Sequence, residues 1–176
     1  MAAPIAIAAL SATPETRRAL GELLVEAVAS GASVHFLHPL TLPVAERFWD
    51  AVLAAAARGE RVVLGAFDAA TLVGTVTLLL DCPPNQPHRA EIGKLMTRVS
   101  HRGRGIARAL MAAAEAIAVE RARSLLVLDT AVDGGAAGLY EALGFTLAGV
   151  IPDYAIKPHG GLTGTMIYWK RVAAAG

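Results

Sequence analysis

Apolar positions recur along this chain with two different periods, and the change of period separates helices from strands. A helical period begins after Thr13-Pro14-Glu15, where a capping residue precedes a proline in the first turn, and it runs to about Ser30. A second helical segment starts at Pro43 and is closed by Gly59. The apolar face of the first helix consists of Leu20, Leu23, Leu24, Ala27 and Val28. The pattern therefore predicts two amphipathic helices near the start of the chain.

Short apolar runs bounded by glycine, proline or aspartate predict the strands. The run 125–130 (L-L-V-L-D-T) is almost continuously apolar, as expected of a strand buried on both faces. Two runs on either side of Asp68-Ala69-Ala70 predict a hairpin. The predicted strands cover residues 5–10, 61–67, 72–80, 89–96, 125–130, 145–154 and 165–171. With two further helices at 103–121 and 136–143, the predicted order is β-α-α-β-β-β-α-β-α-β-β.

Length and composition limit the classes of protein to consider. The 176 residues fit one domain with a large core, and no repeat or linker interrupts them. A net charge of +1 gives no basic field for nucleic acid, and no uncharged apolar run reaches the roughly 18 residues of a membrane span. The first ten residues lack the positive leader of a signal peptide. We therefore expect a cytoplasmic protein that binds neither nucleic acid nor membrane.

Cysteine and histidine usage gives no sign of a metal site. Cys82 is the only cysteine, which excludes an intrachain disulfide and a cysteine-based metal set. His35 and His38 are close in sequence, but no third ligand can be named, so a role in a loop or in packing is the better interpretation. We predict no metal.

The stretch V-S-H-R-G-R-G-I-A-R-A, residues 99–109, contains the clearest chemical signal. It follows a predicted strand and leads into a strongly helical segment, Ile106–Glu120. Glycines allow the backbone to approach a ligand, and the free N–H groups and dipole at a helix N-terminus favour an anion. Arginines add positive charge around the turn: Arg102, Arg104 and Arg108. The turn is predicted to bind a phosphate or pyrophosphate.

Spacing narrows the kind of anion site. A phosphate loop of the G-x-x-x-x-G-K-[ST] type is absent, because no Lys-Ser or Lys-Thr follows the glycines. The dinucleotide fingerprint G-x-G-x-x-G matches at Gly103 and Gly105, but its third small residue would fall on the bulky Arg108. Asp129, at a strand end downstream, keeps a nucleotide-dependent oxidoreductase open as a distant alternative.

The spacing that does match is R-x-x-G-x-A at Arg102, Gly105 and Ala107, behind a strand of the form E-I-x-x-L-x-x-x-V. A second motif, L-Y-E-A-L-G-F, follows at 139–145. Together these motifs resemble the GNAT superfamily of acyl-CoA-dependent N-acyltransferases. The resemblance implies an α/β (α+β) fold with a mixed, mostly antiparallel sheet of six to seven strands, flanked by helices and splayed where acetyl-CoA binds. It also implies that a single domain spans residues 1–176.

The resemblance assigns the cofactor contacts. Backbone N–H groups of the turn would bind the pyrophosphate of acetyl-CoA, while Arg102, Arg104 and Arg108 neutralise its charge. The turn residues are Arg102, Gly103, Arg104, Gly105, Ile106 and Ala107. The backbone of the strand end would meet the thioester carbonyl, at Leu95, Met96 and Thr97. Asp133 stands where many members have an asparagine that contacts the pantetheine arm or catalytic groups.

Three residues are the catalytic candidates. By the resemblance, Tyr140 is the general acid for the leaving thiolate and Glu91 a general base that acts through water. Asp129 ends an apolar strand, where a carboxylate is costly unless it is paired or hydrated, so it is a candidate for binding the amine. The structural alternatives are a core aromatic for Tyr140, an exposed strand-end acid for Glu91 and a loop cap for Asp129. No cysteine or serine nucleophile is indicated, which favours direct attack by the amine.

The predicted function is transfer of an acetyl group from acetyl-CoA to the primary amine of a small molecule. The alternative is a catalytically silent module that binds or senses acyl-CoA.

Four short sequence segments resemble the tabtoxin-resistance acetyltransferases within the superfamily: G-A-S-V-H-F, R-A-E-I-G-K-L-M, L-L-V-L-D-T and I-Y-W-K. Homodimers are common in the superfamily, so the resemblance makes a homodimer a candidate assembly, although the sequence itself does not determine the oligomeric state. The candidate residues for the acceptor side are His35, Phe48, Trp49 and Tyr154, each with core or surface packing as the alternative.

Overall fold

The computed structural model describes residues 5–173. One sheet of seven strands forms its centre, in the order β1-β2-β3-β4-β5-β7-β6. The strands are β1 Ala6–Ala9, β2 Arg61–Asp68, β3 Thr71–Leu79, β4 Arg89–Thr97, β5 Leu125–Ala131, β6 Thr146–Ile156 and β7 Leu162–Arg171. The helices are α1 Pro14–Ala29, α2 Leu42–Ala57, α3 Ile106–Glu120 and α4 Ala137–Ala142, and short 3₁₀ turns lie at Val99–His101 and Val132–Gly134. The predicted order of elements is confirmed. Residues Met1–Pro4, which belong to the segment examined for a signal-peptide leader, lie outside the described residues.

Helix α1 begins where its sequence predicts. The side chain of Thr13 accepts a hydrogen bond from the backbone N–H of Thr16 at 3.1 Å, and Pro14 occupies the first turn. The proline has no N–H to leave unpaired, and the threonine satisfies one of the free N–H groups of the helix end. Helix α2 also has a proline in its first turn, although it starts one residue earlier than predicted, at Leu42.

The sheet separates two apolar clusters because successive side chains of a strand point to opposite faces. On β2, Val63 belongs to one cluster and Leu64 to the other. The first cluster packs α3 and α4 against the sheet and includes Ile106, Leu110, Ala114, Leu126 and Tyr168. The second packs α1 and α2 against the sheet and includes Leu20, Leu23, Leu24, Val28 and Trp49. The helices thus hold β4 and β5 in the middle of the molecule.

Strands β4 and β5 are parallel neighbours over a short distance only. Their pairing covers Arg89 with Leu125, Ala90 with Leu126 and Glu91 with Val127. Both strands then continue, to Thr97 and to Ala131, without pairing to each other. The other strand pairs are antiparallel. The expected mixed, mostly antiparallel and splayed sheet is confirmed.

The starts of α3 and β7 each lie three residues from their predicted positions. Gly103 and Gly105 have φ of +75° and +78°, so they form the left-handed turn before α3 and not its first turn. Strand β7 begins three residues earlier than predicted, because the turn at Gly160-Gly161 is tight enough for Leu162 to pair with Ile156. Gly164 lies within the lengthened strand, where an added Cβ would meet the carbonyl oxygen of Ile151 at 2.9 Å.

Within the described part of the chain, no helix is both long enough and apolar enough to cross a membrane.

Candidate active site

A cleft of about 500 Å³ opens where β4 separates from β5. The second half of β4 forms one wall and the end of β5 another, and the loop after α1, helix α4 and strand β7 complete it. Its lining includes residues that the sequence analysis assigned to the site: Leu95, Met96, Thr97, Arg102, Ala107, Asp129, Asp133 and Tyr140. Because β4 and β5 are unpaired beyond Glu91, a space opens at the centre of the sheet. Eight of the predicted site residues line this space.

A bulge in β4 faces this cleft. Met96 is paired with Thr75 on β3, and the next pair joins Gly93 to Thr77, so Lys94 and Leu95 together oppose one residue of β3. Lys94 has φ of +51°, a left-handed conformation that is rare for a residue with a side chain. A bulge interrupts the regular ladder and changes the direction of the backbone. The interruption falls at the strand end to which the resemblance assigned the thioester contact.

The basic turn before α3 divides its arginines between two environments. Arg102 lines the cleft, and its guanidinium donates a hydrogen bond to Ser30 Oγ at 3.0 Å. Arg104 lies outside the cleft lining and binds Asp68 at 3.2 Å, with His101 on the same carboxylate at 3.4 Å. The other turn residues that do not line the cleft are Gly103, Gly105, Ile106 and Arg108.

The N-terminus of α3 has no side-chain cap. Gly105 is the capping residue and makes no side-chain hydrogen bond, and a Cβ added at Gly103 or Gly105 would meet nothing within 4 Å. Open space around both glycines leaves the backbone accessible, and a 15-residue helix carries a full dipole behind it. The turn keeps the features of an anion site, with Arg102 as its arginine on the cleft.

Tyr140 lies on α4 with only 6% of its surface exposed. Its ring packs against Phe145 at 6.0 Å and Tyr168 at 5.9 Å between centroids, yet the residue also lines the cleft. Burial raises the pKa of the Tyr140 hydroxyl to about 12, and the negative charge of Asp129 adds to the effect. The hydroxyl therefore stays protonated throughout the physiological pH range. Tyr140 is therefore a core aromatic that also faces the cleft, and its role as general acid stays a prediction.

The two candidate carboxylates are in different places. Asp129 lines the cleft, and the Thr165 hydroxyl lies 3.2 Å from its carboxylate and 3.2 Å from the carbonyl oxygen of Thr130, so the two acceptors share its one proton. Glu91 does not line the cleft; its half-exposed carboxylate forms an ion pair with Arg89 on the same strand. Both acids are catalytic candidates by sequence, but the structure brings only Asp129 to the cleft. Their strands are neighbours, yet Glu91 lies at the last paired position, before the sheet opens.

Asp133, the residue in place of the usual asparagine, follows β5 in the second 3₁₀ turn and lines the cleft. Lys157 Nζ lies 3.6 Å from its carboxylate, and Thr163 Oγ1 lies at 3.5 Å. The carboxylate is thus held by partners from β7 and from the turn before it.

Sequence reasoning missed Lys94. Its Nζ lies 3.0 Å from His35 Nδ1 and 5.5 Å from the centre of the Phe48 ring, and both Lys94 and His35 line the cleft. Burial lowers the pKa of Lys94 and also that of His35, which the charge of Lys94 lowers further, while Asp129 opposes both shifts. A lysine inside a central, mostly apolar strand was the available signal.

The acceptor-side candidates have separate outcomes. Tyr154 lines the cleft, as His35 does. Phe48 contacts Lys94 and packs edge-on against Phe36. Trp49 is fully buried in the cluster under α1 and α2, so its packing interpretation was correct.

Comparison with known proteins gives this arrangement a family. The model of the acetyltransferase (GNAT) family matches residues 32–145. Among solved structures, an N-acetyltransferase from Staphylococcus aureus Mu50 superposes with a TM-score of 0.80 at 18% identity, covering 96% of this chain and 99% of that one. A provisionally assigned acetyltransferase from Salmonella typhimurium, yncA, solved with its cofactor acetyl-CoA, gives 0.77 at 16% identity over 95% and 94%. A ribosomal-protein-alanine N-acetyltransferase from Brucella melitensis gives 0.77 at 21% identity over 94% and 99%.

The structural matches extend over nearly the whole chain, and the family model covers both motifs, the basic turn and L-Y-E-A-L-G-F. In the described residues, no group of three or more histidine, cysteine, aspartate or glutamate side chains is arranged to hold a metal ion. This chain belongs to the GNAT family of acetyltransferases, and the cleft between β4 and β5 is its candidate active site.

Proposed function

We propose that this protein transfers the acetyl group of acetyl-CoA to the primary amine of a small molecule by direct attack. The observation that carries the proposal is the convergence, in one cleft, of a bulged strand, a protonated tyrosine and a carboxylate: Leu95, Tyr140 and Asp129. Acyl transfer from a thioester to an amine needs a polarised carbonyl, an oriented amine and stabilisation of the leaving sulfur. The cleft offers a residue for each requirement.

The cofactor would bind along the open edge of β4. The accessible turn before α3, with its free N–H groups, would hold the pyrophosphate, and Arg102 would neutralise charge from the side of the cleft. Arg104 already neutralises Asp68, and Arg108 is exposed outside the cleft lining, so we assign both a smaller part than Arg102. At the bulge, backbone N–H groups that leave the regular ladder would polarise the thioester carbonyl.

The amine would approach from the side of Asp129. The carboxylate attracts a cationic amine and orients it, and the hydrogen bond from Thr165 fixes the position of the carboxylate. The bound ammonium first loses one proton to Asp129 or to water, which frees the nitrogen lone pair for attack. As the N–C bond forms and the C–S bond breaks, a second amine proton passes to water, and the sulfur leaves with its electron pair. Glu91, which is held by Arg89, is left with a role through water.

Tyr140 would stabilise the departing sulfur. Its pKa of about 12 lies well above that of a thiol, near 8.5. The Tyr140 hydroxyl therefore donates a hydrogen bond to the thiolate, and a tyrosinate that forms is quickly protonated again. We infer that the proton bound to the released thiol comes through this hydrogen bond and is replaced from water.

A screen for acetyl-CoA consumption tests the proposal. The protein would be mixed with acetyl-CoA and a library of amines, and the release of free thiol would be followed. The library includes β-lactam amino-acid toxins, because the segments similar to the tabtoxin-resistance acetyltransferases suggest such an acceptor. Turnover with an amine supports the transferase. Tight binding of acetyl-CoA without turnover of any amine would favour the sensing module, and preferential binding of NAD would restore the oxidoreductase.

Neutralising Asp129 should weaken acceptor binding. For Asp129→Asn we expect the KM for the amine to rise about tenfold, because a charge-assisted contact contributes roughly 1.5–3 kcal/mol, while the KM for acetyl-CoA changes little. Steady-state kinetics with the amine found in the screen measure both constants. Glu91→Gln is the matched control and should have a smaller effect, since Glu91 lies outside the cleft lining. Equal effects of the two substitutions on the KM for the amine would contradict the role of Asp129 in binding the acceptor.

The proposed assembly is a homodimer through β6. This strand is at the edge of the sheet, and its apolar side chains are exposed: Leu147, Val150, Ile151, Tyr154 and Ile156. An edge strand with unpaired backbone groups is a template for pairing with a second copy. Light scattering after size exclusion should report twice the mass of 18.2 kDa, and Val150→Lys should shift it to the monomer. A wild-type monomer at micromolar concentration would contradict the dimer.

The proposed location is the cytoplasm, where acetyl-CoA is available. The chain has a single cysteine, Cys82, and so its fold does not depend on a disulfide.

A further inference from the structure

The contact between Lys94 and His35 has no role in the acetyl transfer described above. The ammonium of Lys94 points to the ring nitrogen of His35 at 3.0 Å and lies 5.5 Å from the centre of the Phe48 ring. Among the ion pairs found within residues 5–173, none involves Lys94. Asp129 is near enough to influence its pKa but not close enough for an ion pair. A partly buried cation thus faces the cleft without an anionic partner.

The backbone holds both residues in unusual conformations. His35 has φ of +73° and Lys94 has φ of +51°, and this left-handed region is unfavourable for a residue with a side chain. Such conformations persist where the surrounding structure imposes them, and they concentrate at binding and catalytic sites. Here the bulge imposes the conformation at Lys94 and directs its side chain to a histidine from the loop after α1.

The charges in the cleft are arranged in two groups. Lys94 and His35 supply hydrogen-bond donors, whereas Asp129 supplies a carboxylate, and all three line the same space. An ammonium has three donors, of which one is used by His35 Nδ1, and the histidine tautomer that accepts this bond carries its proton on Nε2. Lys94 can therefore still donate to a carboxylate. A molecule with both an ammonium and a carboxylate matches this distribution of charge.

We propose that Lys94 and His35 form a carboxylate-binding subsite, so that the acceptor amine is an amino acid or a close analogue whose acid group Lys94 recognises. The proposal rests on the proposed function for its acceptor, but the subsite itself can be tested without turnover. Asp129 orients the amine at the thioester, and Lys94 fixes the other end of the molecule. The pair determines specificity and takes no part in breaking the C–S bond.

The kinetic test compares acids with their neutral counterparts. Each L-α-amino acid and its carboxamide would be offered to the wild type and to Lys94→Met, with acetyl-CoA saturating. We expect the wild type to prefer the acid, and Lys94→Met to raise the KM for the acid by roughly tenfold to a hundredfold, the value of a charged hydrogen bond. The KM for the carboxamide should stay within about twofold, because the variant removes only the partner of the acid group. Lys94→Arg should recover part of the preference.

Arg47→Met is the control for net charge, since Arg47 is an exposed cation on α2 outside the cleft lining. It should leave both KM values unchanged. A wild type that acetylates carboxamides as well as acids, or a Lys94→Met variant that weakens both equally, would overturn the subsite.

A binding measurement separates failure of the subsite from failure of the transferase. N-acetylglycine and its neutral amide, N-acetylglycinamide, would be titrated against the protein with coenzyme A present, by NMR chemical-shift changes. We expect tighter binding of the acid, lost in Lys94→Met. If no amine is acetylated but this preference is found, the transferase proposal fails and the subsite stands. If the two probes bind equally, the subsite fails whatever the outcome of the amine screen.

Discussion

Replacing Tyr140 by phenylalanine is expected to lower kcat by about a hundredfold or more, the usual contribution of a positioned proton donor. The KM for acetyl-CoA should stay within about twofold, because the turn before α3 and Arg102 are untouched. The ring is almost entirely buried against Phe145 and Tyr168, and phenylalanine keeps that packing. Steady-state kinetics, with a thermal melt to show that the fold is retained, measure the effect.

The pH profile adds a second readout for Tyr140. Because burial and Asp129 raise the pKa of its hydroxyl to about 12, Tyr140 is protonated throughout the range below about pH 10, and its ionisation should produce no basic limb there. The wild-type and Tyr140→Phe profiles should therefore have the same shape and differ in height. Tyr168→Phe is the control, since Tyr168 packs against Tyr140 but lies outside the cleft lining, and it should keep kcat within about threefold. Full activity of Tyr140→Phe would remove the hydroxyl from the mechanism.

Arg102→Ala is expected to weaken acetyl-CoA binding by roughly tenfold to a hundredfold, the range for a charged hydrogen bond to phosphate. The loss should appear in the dissociation constant and in KM, while kcat at saturation changes little, because Arg102 would contact the cofactor far from the thioester. Isothermal titration with acetyl-CoA measures the change directly. Higher ionic strength should reduce the difference between wild type and variant.

Arg104→Ala is the matched control for this prediction. The two arginines are two positions apart, yet Arg104 binds Asp68 and lies outside the cleft lining. Its removal should change acetyl-CoA affinity by less than about threefold, as for an exposed ion pair. If Arg104→Ala weakens binding as much as Arg102→Ala, the assignment of the pyrophosphate contact to Arg102 is wrong.

The fold could be predicted from local signals because those signals agree with the tertiary structure. Thr13 and Pro14 start α1, the Asp68 turn closes the β2–β3 hairpin, and the continuous apolar run of β5 is buried in the middle of the sheet. Each of these depends on residues within a few positions of one another. The boundary errors at Gly103 and Gly164 arose where a glycine serves a turn or a close backbone contact, which composition alone does not distinguish.

The site was less predictable because its geometry depends on residues far apart in sequence. The motif assigned both Arg102 and Arg104 to the pyrophosphate. In the structure, Asp68, which lies 36 residues before Arg104, binds Arg104 and not Arg102. Lys94 meets His35 across 59 residues of sequence, through a bulge that no motif indicates. Glu91 matches the family pattern, yet the last rung between β4 and β5 keeps it outside the cleft. The sequence predicted which residue types to expect, and tertiary contacts determined which of them share the space.

The short pairing of β4 with β5 also affects how stability and binding are linked. Three paired positions join the two parts of the sheet, and one apolar cluster packs across the junction, with Leu126 and Tyr168 on one side and Ile92 on the other. A ligand lying in the gap contacts both parts at once and stabilises the folded state by an amount that grows with the logarithm of its concentration above its dissociation constant. Substitutions that loosen either part should therefore appear first as weaker cofactor affinity, before any loss of fold. Bound acetyl-CoA would therefore help to hold the two parts of the sheet together, in addition to serving as the substrate of the protein.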